Sequence, residues 1–257
     1  MNRVTSNYFA GIIPARYASS RFPGKPLAHI GGKTMVQWVY EQACKSLELV
    51  YIATDDERIF DKAKEFGANA VMTSPDHLSG TDRCAEAVIR IMAETGKEVD
   101  VVVNIQGDEP FIRPEQITLL MDCFNSDDVE LATLIRKVEP GEDIFNQNQP
   151  KVIVDKHGDA IYFSRSVIPF IRDAEKDEWT TRHIFFKHIG LYAYRTETLG
   201  RITQLQQSPL EKAESLEQNR WIENGFRIRT AVTEWESIGI DTPEDLQKAK
   251  LLTDKFI

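Results

Sequence analysis

Strand-like and helix-like stretches alternate three times before Val103, and no other feature of the sequence narrows its folds so far. Tyr8 to Ile13 is a short apolar run of strand length. Thr34 is placed to cap a helix in which Met35, Trp38, Val39, Gln42 and Ala43 keep helical spacing. Leu49 to Ala53 is a second strand, stopped by Thr54, Asp55 and Asp56. A charged helix follows to about Phe66, ended by Gly67, where a left-handed backbone is tolerated. Asn69 to Thr73 (NAVMT) is a third strand and Ser79 to about Glu94 a third helix. Val99 to Ile105 (VDVVVNI) is almost continuously β-branched, the composition of a strand covered on both faces. Such alternation predicts a layered α/β fold, with helices over both faces of a mixed but mainly parallel sheet.

After about Leu131 the pattern changes. KVIVDKHGDAIYFS has a His157-Gly158-Asp159 turn between two apolar segments and reads as a β-hairpin. KHIGLYAYR is another strand, and SPLEKAESLEQNRWIENG is helical up to a stop at Gly225. IDTPEDLQKAKLL closes the chain as a helix, with Thr242 as cap and Pro243 in the first turn. No Gly/Ser-rich linker, repeat or low-complexity tract interrupts this. The expectation is one domain over residues 1–257 with an antiparallel insertion over about 131–200, and the 257 residues suffice for a full core.

Ligands of α/β sheets sit beyond the carboxyl ends of the strands. The segments in those places are PARYASSRFPGK, TDDERI, TSPDHLSGTDR and QGDEP, which hold most of the charged and small polar residues suited to a site. In the first, Arg16, Arg21 and Lys25 stand among Ala, Ser, Pro and Gly. Arginines hold phosphate oxygens in bidentate fashion and lysine acts as a point charge, so the loop invites a phosphate. It matches neither common phosphate fingerprint. Gly32-Lys33-Thr34 ends like a P-loop, but Leu27 stands where the first glycine belongs, and no G-x-G-x-x-G occurs.

Charge supports a local anion site over a general one. With 31 basic against 40 acidic residues the net charge is −9, which argues against nucleic acid as a partner. The three cysteines, Cys44, Cys84 and Cys123, form no C-x-x-C pair or zinc spacing and are expected to be core thiols of a reducing compartment. No apolar run approaches the ~20 residues needed to cross a bilayer, and MNRVTSNYF lacks a signal peptide's apolar stretch. A cytoplasmic protein with no membrane partner is expected.

Asp108 and Glu109 follow an otherwise apolar strand, beside Gly107, which lets backbone approach a ligand closely. A carboxylate facing a phosphate cluster repels it unless a cation lies between, and Mg²⁺ suits one or two carboxylates plus phosphate oxygens. Asp241 in GIDTP precedes a helix, and from its position alone N-capping is favoured over metal ligation. His183 and His188 lie five apart across loop and strand, which does not suit a histidine metal site. No G-x-S-x-G elbow is present to support a serine nucleophile.

The segments IIPARYASSRFPGKPL, ATDDERI, HLSGTDR, NIQGDEP, YFSR, HIGLYAYR, ESLEQNRW and GIDTPEDL occur in that order. Together they resemble the signature set of the 3-deoxy-manno-octulosonate cytidylyltransferase family, from about Phe9 to Leu252. TEWESIGIDTP stands where that family often has a glycine-containing turn, which bears on the approach to Asp241. The resemblance implies a Rossmann-like nucleotide-diphospho-sugar transferase fold and the activation of 3-deoxy-manno-octulosonate (Kdo) with CTP. It places Pro14, Ala15, Arg16 and Lys25 on CTP, with Gly80 and Thr81 at the cytosine and Gln106 beside the substrates. It makes Asp108 and Asp241 the Mg²⁺ ligands, reversing the capping assignment of Asp241. It gives Arg165, His188, Tyr192, Glu217 and Gln218 to the sugar acid, and it implies a homodimer. Another sugar acid, such as 8-amino-Kdo or sialic acid, or CTP binding without turnover, are the alternatives.

Overall fold

A computed structural model describes residues 7–19, 21–236 and 238–252 of the chain. Strand β1 (Phe9–Ala15) is the pivot of the sheet. Ala10 and Ile12 face one side, Ile13 and Ala15 the other, and all four are buried. A loop then carries a 3-10 turn (Lys25–Leu27) and a small hairpin of β2 (His29–Ile30) and β3 (Lys33–Thr34) into helix α1 (Met35–Ala43). Thr34 does occupy the cap position of α1, but its side chain makes no capping bond. The alternation continues through β4 (Leu49–Thr54), α2 (Glu57–Glu65), β5 (Ala70–Met72), α3 (Gly80–Thr95), β6 (Val101–Asn104) and α4 (Pro114–Asp122).

Beyond α4 come β7 (Leu131–Lys137), β8 (Lys151–Val154), β9 (Ala160–Ser164), α5 (Trp179–Arg182), β10 (Phe186–Arg195) and α6 (Thr196–Ile202). The helical stretch expected up to Gly225 is two helices, α7 (Pro209–Glu214) and α8 (Glu217–Glu223). The break falls at Ser215, whose φ of 52° is left-handed. There Glu214 accepts hydrogen bonds from Ser164 Oγ and Arg165 N, 2.6 and 2.9 Å away, which fixes the corner. A short strand, β11 (Arg229–Val232), and α9 (Pro243–Leu252) end the described chain.

The sheet runs β11-β7-β10-β6-β1-β4-β5, with the β8–β9 hairpin attached to β10. β1 pairs in parallel with both β4 and β6, β4 with β5, and β11 with β7. β10 runs antiparallel to β6 and β7. One core lies between the sheet and α1, α2 and α4, with Val36, Val39, Ile59 and Ile117 against Ile13 and Val103. The other lies beneath α3, α6 and α8, with Val88, Ile91, Leu199 and Trp221 against Ile12 and Val102. Burial on both faces is why β1, β4 and β6 read as unbroken apolar runs. Of the cysteines only Cys84 is a core thiol, its pKa raised by burial. Cys44 is exposed and Cys123 partly so, against the expectation that all three are core.

Because β1 is flanked by β4 and β6, the loops after β1 and β6 leave the same edge side by side, as at the switch points where such sheets bind ligands. Gly107 is what lets them touch. A Cβ built on it would lie 2.9 Å from the carbonyl oxygen of Pro14, and no backbone-to-Cβ contact tolerates that. Asp108 O in turn accepts from Ile240 N at 2.9 Å, which draws the segment before α9 to the same edge. Gly107→Ala is therefore expected to destabilise the fold by about 1–3 kcal/mol, read from the urea midpoint, and to lower activity more than stability alone explains.

Candidate active site

The loop after β1 is pinned before it presents any cation. Gly24 N donates to Tyr17 O at 2.9 Å and Gly24 takes a φ of 71°, closing the loop on itself. The guanidinium of Arg58, at the start of α2, stacks 3.3 Å from the centroid of the Tyr17 ring. Arg16, Arg21 and Lys25 then face a cleft of about 270 Å³. Pro14, Ala15, Gly80, Gln106, Asp108 and Asp241 line the same cleft. Eight of the sequence-derived nucleotide and metal positions named above thus share one cavity with Lys25.

Opposite the loop two carboxylates meet. Lys25 Nζ lies 2.6 Å from Asp108 Oδ2 and 3.1 Å from Asp241 Oδ1. Arg21 also reaches Asp241, at 3.2 Å. The position of Asp241 before a helix suggested a capping role, and that role is filled by its neighbours. Thr242 Oγ1 accepts from Asp245 N at 3.2 Å, while Asp245 Oδ2 accepts from Thr242 N at 3.1 Å. With α9 capped by this pair, the Asp241 side chain is left to face the cleft. Among the described residues no three His, Cys, Asp or Glu side chains gather as a metal cage. Two hard oxygen donors aimed at one cation nevertheless fit Mg²⁺, whose other ligands are then phosphates and water.

The wall of the cleft is built by α3 and the loop before it. Ser79 caps α3 in a reciprocal box with Asp82, and a Cβ on Gly80 would lie 3.2 Å from Pro14 Cγ, so this turn is packed against the end of β1. Thr81 points elsewhere. It is buried, and its hydroxyl donates to Glu217 at 2.7 Å. Sequence reasoning missed Arg83 and His77, which also line the cleft. Arg83 is only 3% exposed; it donates to Thr73 Oγ1 at 2.5 Å and pairs with Asp55 at 3.5 Å. An arginine in the first turn of a helix that follows a parallel strand was the available signal.

The residues assigned to the sugar acid are not brought together in that cavity, Gln106 excepted. Arg165 spends its guanidinium on the carbonyls of Glu214, Gln147 and Ser215, 2.7, 3.0 and 3.3 Å away. His188 Nε2 lies 3.0 Å from Thr133 Oγ1, and its ring meets Phe163 and Tyr192. Desolvation pushes its pKa down to about 3, so the ring is neutral. Glu217 is raised by burial, although Thr81 and Arg220 hold it. Tyr192 Oη, Gln218 Nε2, Asn104 Oδ1 and Trp221 Nε1 are buried without a hydrogen-bond partner. Asn104 and Tyr192 are register partners on β6 and β10, and Trp221 packs edge-on to Tyr192 at 5.2 Å. An unpaired buried polar group costs about 1–3 kcal/mol, so this cluster is suited to a polyhydroxylated partner.

A cationic loop facing paired carboxylates at a sheet switch point belongs to enzymes that handle nucleotide phosphates, and comparison with known proteins narrows the class. The cytidylyltransferase family model matches residues 10–231, most of the chain. The fold is that of a cytidylyltransferase. The 3-deoxy-manno-octulosonate cytidylyltransferase of Parabacteroides distasonis is 56% identical over 245 residues, covering 94% of this chain and 96% of that protein. Its counterpart from Cytophaga hutchinsonii is 57% identical over 238 residues, covering 91% and 93%. A solved CMP:2-keto-3-deoxy-manno-octonic acid synthetase complexed with CTP superposes with a TM-score of 0.87 at 41% identity, over 98% of this chain and 100% of that one. A cytidylyltransferase from Leptospira borgpetersenii, 18% identical with a TM-score of 0.63, shares the fold. The chain belongs to the 3-deoxy-manno-octulosonate cytidylyltransferase family and is a nucleotidyltransferase.

Glu86 holds the loop that carries His77 against the cleft. Burial alone would raise its pKa, but hydrogen bonds from Ser74 N, His77 and Arg90 outweigh this and hold it at about 2, against 4.5 for a free glutamate. A depressed carboxylate stabilises the fold above its unfolded pKa and loses that contribution as pH falls through the folded one. Glu86→Gln should therefore cost about 1–3 kcal/mol at pH 7, with the difference shrinking between pH 4.5 and 2 in denaturation series.

Proposed function

We propose that the enzyme transfers CMP from CTP to the anomeric 2-hydroxyl of Kdo, releasing pyrophosphate and supplying CMP-Kdo for lipopolysaccharide synthesis. One observation carries this reading: Asp108 and Asp241 converge on the ammonium of Lys25, and Arg21 of the same cationic loop also reaches Asp241. The relatives bear the name of this activity, and the CTP complex of a family member makes CTP the natural nucleotide.

In this reaction the side chains form no covalent intermediate, and catalysis rests on position and charge. Arg16, Arg21 and Lys25 bind the triphosphate and stabilise charge on the departing pyrophosphate. Pro14, Ala15 and Gly80 form the close-packed edge against which the nucleoside lies, with Gln106 reaching toward both substrates. Asp108 and Asp241 would hold Mg²⁺, which when bound neutralises the α-phosphate and makes the sugar hydroxyl more acidic. Tyr192 and Gln218 offer unpaired polar atoms to the sugar acid, and neutral His188 supports Tyr192 from its side. Thr81 joins the two halves through Glu217, and Arg165 sets the corner between β9 and α7.

A homodimer is part of the proposal. An apolar groove lined by Val152, Val154, Ile168, Ile184 and Phe186 lies beside the β8–β9 hairpin, and Ile184 in it is 54% exposed. No helix among the described residues is long and apolar enough to cross a membrane, and a cytoplasmic setting fits a CTP-dependent reaction. A pyrophosphate-release assay with CTP and Kdo, 8-amino-Kdo or sialic acid tests the function. Kdo should be preferred, and Asp108→Asn should lower turnover at least ~100-fold without altering the melting temperature. Preference for another acid would replace Kdo, and near-normal turnover by the variant would remove Asp108 from the mechanism.

A further inference from the structure

Lys25 belongs to the loop proposed to bind the triphosphate. The geometry gives it a second position. Its ammonium sits between Asp108 and Asp241, within hydrogen-bond distance of both, and its side chain is only 14% exposed. Arg21, by contrast, is 65% exposed and touches Asp241 alone. The backbone beneath Lys25 is fixed. Leu27 N donates to Gly24 O at 2.9 Å, Ala28 N donates to Lys25 O at 3.0 Å, and Pro26 is buried. Only the flexible four-carbon stem is free to move the charge.

We propose that Lys25 is an internal stand-in for the metal: it occupies the aspartate pair in the free enzyme and yields that place only when a metal–triphosphate complex arrives. The inference rests on the reading of Asp108 and Asp241 as Mg²⁺ ligands. Its physical basis is an exchange of partners. A free divalent cation would have to shed water and displace an ammonium that is already paired, leaving that ammonium facing a doubly charged ion at close range. A cation that comes with CTP brings the phosphates to which the displaced ammonium can turn, so every charge stays partnered. The enzyme therefore selects the metal–nucleotide complex as a unit and binds free divalent ions weakly.

The test uses Mn²⁺ as the probe, with the loss of its free-ion electron paramagnetic resonance signal as the readout, in the absence of any sugar acid. Without nucleotide, Lys25→Met should bind Mn²⁺ at least tenfold more tightly than the wild type. Lys25→Arg, which keeps the charge, should stay as weak as the wild type. Adding Asp108→Asn to Lys25→Met should abolish the gain. Lys25→Gln is measured in parallel, and melting temperatures identify any variant that has not folded. If neither neutral variant binds Mn²⁺ more tightly, while Mn²⁺ with CTP still binds in a manner that needs Asp108, the stand-in role is overturned and the metal assignment survives. If Mn²⁺ affinity ignores Asp108 with and without CTP, both fall together.

Discussion

Two carboxylates from distant parts of the chain share one ammonium, and the arrangement of the whole sheet bears on keeping them there. Asp108 leaves the end of β6, Lys25 follows β1, and Asp241 precedes α9. Left alone, two carboxylates directed at one point repel each other. With a cation between them they form a stable, partly exposed triad instead. The approach depends on Gly107 lying flat against Pro14, and on the hydrogen bond between Ile240 and Asp108. The cationic loop, the paired carboxylates and the wall at Ser79 and Gly80 thus meet because β1 lies between β4 and β6.

The half proposed to receive the sugar acid is built on different principles. It sits where the antiparallel strand β10 meets α8, and it is dominated by aromatic packing among Phe163, His188, Tyr192, Tyr194 and Trp221. Within that apolar setting, unpaired polar atoms are retained at an energetic cost, which is the pattern of a site that stays incomplete until a ligand arrives. The hydrogen bond from Thr81 to Glu217 ties the first turn of α3 to α8.

Much of this is legible in the sequence. Burial of β1, β4 and β6 on both faces writes itself as unbroken apolar runs, and the charged loops after them mark the cleft. Thr242 reads as the cap in sequence and is one, in a reciprocal box with Asp245, which leaves Asp241 free of the capping role its own position also suited. Other features left little trace. β7 is buried at five consecutive positions and β11 is four residues long, so neither shows a period. The corner at Ser215 depends on contacts with Ser164 and Arg165 from another hairpin. The family resemblance gives Arg165 to the sugar acid, but three backbone carbonyls take up its donors, and only the tertiary structure reveals them. Arg83 carries no periodic signature, and its place in the first turn of a helix after a parallel strand is the one trace it leaves.

The central claim is that Asp108 and Asp241 clamp one cation against the phosphates of CTP. A crystal of the enzyme with CTP and Mn²⁺, measured at the manganese absorption edge, locates that ion directly. The account predicts an anomalous peak bridging both carboxylates at roughly 2.0–2.3 Å from their oxygens, with Lys25 turned onto the triphosphate. A peak held by phosphate oxygens alone, with both aspartates still on Lys25, would contradict it.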